Sequence, residues 1–109
     1  MDERMGMRTV TDGAPVRAAD MVAALTARRL VFEDGAEQVF APDGTTTYRD
    51  GGRATEGEWS ILRDGEFSSF WPPDYRASYA LRWRVVDGTP IGLVFSQSAS
   101  GEEFVATFG

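Results

Sequence analysis

The 109-residue chain has no cysteine, no histidine, no lysine and no asparagine. Without cysteine there is no disulfide, no thiolate nucleophile and no iron–sulfur or cysteine-held zinc site. Without histidine there is no Ser-His-Asp triad, no imidazole base and no imidazole metal ligand. Without lysine there is no Schiff base and no phosphate-binding loop lysine. Any catalysis would have to be built from Asp, Glu, Tyr, Arg, Ser or Thr. All 11 basic residues are Arg. Lys and Asn both use codons that begin AA, so a GC-rich coding sequence accounts for both absences and assigns Arg no special role.

Long apolar runs are also missing, so no segment approaches the ~20 residues that a membrane helix needs. The net charge is -6, from 17 acids against 11 bases. Both halves are acidic and neither holds a basic patch, which argues against nucleic acid as a partner. Met1 to Val10 lacks the apolar core of a secretory signal, so a cytoplasmic protein is the default expectation. The spacing of a calcium loop is absent, as are Gly-x-Ser-x-Gly and Gly-x-Gly-x-x-Gly. No metal and no cofactor are expected.

What is present is a core. Apolar residues make up 42% of the chain and aromatics 12%, too much for a disordered acidic segment. The length suits one domain. Residues 1–17 mix charge, Gly and Pro without periodicity and read as a flexible or loosely docked arm. Residues 18–27 place Met21, Val22 and Leu25 at helical spacing, with Asp20 able to cap the first turn. This short helix should plug or flank a sheet in the domain formed by residues 18–109.

From Arg28 onward, short runs alternate with turn signals. Five Asp-Gly steps, at 34–35, 43–44, 50–51, 64–65 and 87–88, supply the positive-φ residue of tight hairpins. They mark out eight extended segments, near 28–33, 36–41, 45–50, 56–63, 65–71, 77–86, 90–97 and 102–108. Several alternate with period two. Tyr79, Leu81, Trp83 and Val85 share one face of the sixth, and Arg82 and Arg84 the other. Such patterning predicts half-buried antiparallel strands. Short connections make sequence neighbours spatial neighbours. The expected fold is mainly β: an up-and-down meander of about eight strands that closes into a small barrel, because closure removes both unpaired edges. A two-sheet sandwich is the alternative.

The stretches "RRLVFEDG", "FAPDGTTTYRDGG", "GEWSI" and "YALRWRVVDG" resemble small bacterial lipocalin-like barrels of the calycin type, including the relatives of phenolic acid decarboxylase. The resemblance implies a ligand-holding barrel. Its Gly-x-Trp element, Gly57-Glu58-Trp59, stands in the fourth strand here rather than the first. The decarboxylase comparison implies an acid, a Tyr and an Arg inside the barrel, and Glu58, Tyr79 and Arg82 are of those types. Strand parity, however, sets Glu58 opposite Trp59 and Arg82 opposite Tyr79.

The candidate ligand-binding residues are Tyr48, Trp59, Trp71, Tyr79, Arg82 and Trp83. An eight-stranded barrel is wide enough to be filled by side chains or to hold one small ligand, and Tyr and Trp bring polar handles to an apolar wall. Arg82 enters as an anchor for a carboxylate, provided that a bulge turns it inward. The Trp71-Pro72-Pro73-Asp74-Tyr75-Arg76 segment could gate the mouth or touch a partner. Three readings stay open. The first is a small-molecule binding barrel for an apolar or aromatic, even carboxylate-bearing, ligand. The second is a filled barrel that serves as an interaction or inhibitor module, with a homodimer allowed. The third is a small enzyme using Tyr, Arg and Glu.

Overall fold

The computed structural model describes residues 10–109, so most of the N-terminal arm, residues 1–9, lies outside the described residues. One helix, α1 (Ala18–Thr26), precedes eight strands: β1 (Leu30–Phe32), β2 (Glu37–Phe40), β3 (Thr45–Asp50), β4 (Arg53–Ile61), β5 (Phe67–Trp71), β6 (Tyr75–Val86), β7 (Thr89–Gln97) and β8 (Glu103–Phe108). Each strand pairs antiparallel with the next, and β1 pairs with β8, giving a closed barrel. Leu30 makes the closure visible, since it stands opposite Gln38 on one side and Phe108 on the other. The meander therefore closes, and the sandwich alternative falls away.

The turns explain the register. All five Asp-Gly steps lie in hairpins. In three of them the same device recurs. The Gly N–H donates to the carbonyl of Phe32, Ala41 or Leu62 three residues back, and that residue's own N–H donates to the carbonyl one position past the Gly. The Asp carboxylate accepts the N–H two residues on, at 2.9 Å for Asp34 to Ala36, 2.9 Å for Asp43 to Thr45 and 3.0 Å for Asp64 to Glu66. This is a three-residue hairpin whose last residue must have positive φ. The β6–β7 turn instead uses two left-handed residues, Asp87 at φ 52 and Gly88 at φ 77. Asp tolerates that region better than most side chains.

Period-two alternation then decides which side chains face inward. One inward row runs Phe40, Thr46, Gly57 and another Ile61, Phe67, Tyr79, Gln97 across neighbouring strands. The even number of strands puts the β2–β3, β4–β5 and β6–β7 turns at one end and the other four turns at the opposite end. Helix α1 covers the first end. A Cβ added at Gly65 in the β4–β5 turn would stand 3.8 Å from Ala18 Cβ. Met21, Ala24 and Leu25 enter a core with Leu30, Phe40, Trp59, Phe67, Leu81, Leu93 and Phe95. Burying each such side chain stabilises the fold by ~1.5–3 kcal/mol.

Two local expectations need correction. Asp20 is not the N-cap: Arg17 holds that position, and Asp20 lies in the first helical turn, where its charge suits the helix dipole. The described part of the arm is also docked. Gly13 N–H donates to the Trp83 carbonyl (2.8 Å), Trp83 N–H to Ala14 (2.9 Å) and Val16 N–H to Leu81 (2.9 Å). β5 pairs with β6 only as far as Tyr79. Residues 13–16 satisfy part of the edge that β6 would otherwise leave open beyond it.

Candidate functional site

The end opposite α1 opens into a cavity of about 540 Å³. Its wall comes from the inward positions nearest that mouth: Phe32 of β1, Gln38 of β2, Tyr48 of β3, Thr55 of β4, Ser69 and Trp71 of β5, Tyr75 and Tyr79 of β6, Phe95 of β7 and Phe104 of β8, with Phe67 at the floor. Glu33 and Asp34, in the β1–β2 turn, stand at the rim. The rings pack mostly edge to face or tilted. Tyr48 and Trp71 are T-shaped at 6.3 Å, Tyr79 meets Phe95 at 6.2 Å and 88°, and Phe32 lies 5.7 Å from Phe95. These are the geometries that aromatic quadrupoles favour.

The polar groups of the wall are few. Trp71 Nε1 donates to Ser69 Oγ at 3.2 Å. Gln38 is 8% exposed. Its Nε2 donates to Thr46 Oγ1 at 3.0 Å, and Thr46 Oγ1 donates to the Val39 carbonyl at 2.8 Å. Because the single Thr46 proton goes to Val39, Thr46 can only accept from Gln38, which fixes the orientation of the Gln38 amide. Gln38 Oε1 is left without a donor among the described residues. Burial pushes the Tyr48 phenol above its ordinary pKa, and the carboxylates of Asp34 and Asp50 add to the effect. Tyr79 is likewise raised, first by burial and then by Tyr75, with a hydrogen bond from Ser69 opposing and Glu102 adding a smaller push. Both phenols are therefore neutral hydrogen-bonding groups at neutral pH.

The structure brings Tyr48, Trp71 and Tyr79 together in this wall and sets Trp59, Trp83 and Arg82 apart from it. Trp59 is buried toward the α1 end, where its Nε1 donates to the Ala41 carbonyl at 2.9 Å. Trp83 faces inward but near the same end, packed against the core. Arg82 points outward. It bonds Ser96 Oγ at 3.2 Å and forms a close ion pair with Glu103, whose carboxyl is held below its ordinary range by that Arg. The bulge that could have turned Arg82 inward does exist, but it lies beyond it, between Arg84 and Val85. Glu58 is exposed and belongs to the outer row Thr45–Glu58–Phe70–Arg76. The Glu58, Tyr79 and Arg82 set thus does not converge.

Gln38, Ser69, Phe32, Phe95 and Phe104 line the wall and were not singled out from the sequence. Strand parity carries part of the signal, since Phe95 and Phe104 lie on alternating faces of clear strands. Gln38 offers none, because a lone amide between turns looks like a surface residue. Comparison with family models, curated proteins and solved structures returns no match to the chain.

Proposed function

We propose that this protein is a small-molecule binding barrel of lipocalin-like type, which takes an apolar or aromatic ligand into its open end. The observation that carries the reading is the 540 Å³ cavity walled by aromatic rings. Ligand sites span about 300–1,000 Å³ and combine an apolar lining with a few placed polar groups. The lining here has that make-up, with Gln38, Tyr48, Ser69 and Tyr79 as the polar minority. A barrel used only as a rigid interaction module has no need of an open interior, and the reading as a filled barrel loses its premise. A decarboxylase-type use of Glu58, Tyr79 and Arg82 finds no support, because two of the three face away from the cavity.

The resemblance of the strand and turn rhythm to lipocalin-like barrels supports the same reading. A carboxylate-bearing ligand is not favoured: no Arg lines the cavity, and Arg82 is committed to Glu103 on the outer surface.

Titration with small neutral aromatics such as 2-phenylethanol and p-cresol tests the proposal. Quenching of tryptophan emission should saturate, the thermal midpoint should rise, and Trp71→Phe should remove most of the quenching because Trp71 alone of the three indoles lines the cavity. An absence of saturable binding by every compound overturns it.

A further inference from the structure

The preferred ligand carries a charge as well as an apolar body, and the cavity sets its sign. The argument rests on the binding reading above and deepens it. Three independent features agree. First, the lining offers ring faces and no base. Tyr48, Trp71, Tyr79 and Phe104 present negative π-faces to the lumen side of the barrel, and such faces attract a cation within ~6 Å of a ring centroid. Second, the charges at the rim of the lining are acidic. Glu33 and Asp34 stand there without a basic neighbour in the wall, whereas Glu103 is neutralised by Arg82. The nearest bases face other ways: Arg49 is on the outer row with Ala54, Arg53 pairs in register with Asp50, and Arg76 lies over the Phe70 ring at 4.8 Å on the outside. Third, a buried acceptor lacks a donor. Gln38 Oε1, on a side chain more than nine-tenths buried in the wall, has its amide orientation fixed by Thr46 and no donor of its own. A buried carbonyl left unpaired costs about 1–3 kcal/mol, so an N–H donor brought by the ligand would bind there with gain.

We infer that the cavity selects a protonated aromatic or arylalkyl amine, with the ring body inside the barrel, the ammonium held toward Glu33 and Asp34, and an N–H available to Gln38 Oε1. An anion of the same shape would meet rings and carboxylates of its own sign. A neutral analogue would fill the same space without the electrostatic part.

A matched probe set tests this: 2-phenylethylammonium, 2-phenylethanol and phenylacetate, titrated at neutral pH and low salt with tryptophan quenching and thermal shift as readouts. The ammonium should bind about tenfold tighter than the alcohol, the range that a partly desolvated cation–π contact supports. Phenylacetate should bind more weakly than the alcohol, and added salt should weaken the ammonium alone. The double variant Glu33→Gln/Asp34→Asn should bring the ammonium down to the alcohol's affinity and leave the alcohol unchanged. Asn at position 34 keeps the oxygen that accepts the Ala36 N–H, and unchanged alcohol binding reports that the barrel is intact. Glu33→Gln alone, outside that turn bond, should give part of the effect. If the alcohol binds as tightly as the ammonium, or the double variant leaves the preference intact, the inference is overturned while the binding proposal stands. If none of the three binds, both fall.

Discussion

The Trp71 indole lies across the inward position of β4 that has no side chain, Gly57. A Cβ placed on Gly57 would come within 2.6 Å of Trp71 Cε3 and 2.6 Å of the Phe70 carbonyl oxygen. The glycine of the Gly57-Glu58-Trp59 element is therefore a packing requirement: it lets a large ring from β5 lie flat against the neighbouring strand and shape one wall of the cavity. Nothing in its φ demands glycine, since no positive φ is found there.

It follows that Gly57→Ala should destabilise the protein by about 1–3 kcal/mol, the usual cost of overpacking. It should also shift tryptophan emission and weaken aromatic binding. Urea denaturation and fluorescence read all three. Adding Trp71→Ala should recover only part of the stability, because the clash with the Phe70 carbonyl remains. Wild-type stability and emission in the single variant would show that Trp71 does not depend on the missing Cβ.

Leu25 is fully buried where α1 closes the barrel. Leu25→Ala should cost about 2–5 kcal/mol, as transfer and cavity terms add. Chemical denaturation with an unchanged dependence on denaturant checks it. A cost below 1 kcal/mol would mean that the helix rests on the barrel end without plugging it.

The Arg82–Glu103 pair gives a pH signature. Arg82 lowers the Glu103 carboxyl below its ordinary 4.5. A depressed native value means that the folded state binds its proton less readily than the unfolded state. The stabilisation is then complete above pH 4.5 and is lost as pH falls through the lower native value. Arg82→Gln should return the Glu103 titration, followed by NMR, to the ordinary range and flatten that part of the stability profile. An unchanged midpoint would sink the assignment.

Tyr48 and Tyr79 give the opposite signature. Both are raised above 10.0, mainly by burial. Their contribution to stability is intact below pH 10.0 and is lost as pH rises toward the raised native values. Absorbance titration of tyrosinate in the native protein should show late ionisation that Tyr48→Phe and Tyr79→Phe each reduce by one residue. Ordinary ionisation of all three tyrosines would mean that the cavity wall is open to water.

Much of the fold was written in the chain itself. Asp-Gly steps force tight hairpins because glycine alone enters positive φ without penalty. Alternation then follows from strand geometry, so Arg82 and Glu58 were bound to face away from Trp83 and Trp59 wherever no bulge intervened. What a local pattern cannot specify is depth along the barrel. Trp59, Trp71 and Trp83 all point inward with the same periodicity, yet two of them pack toward the α1 end and one lines the mouth. That division depends on the stagger of eight strands and on which end the helix covers, both of which are settled only when β1 meets β8. The same long-range closure gives Gln38 its buried acceptor and lays Gly13–Val16 along β6, because each relies on partners from distant parts of the sequence.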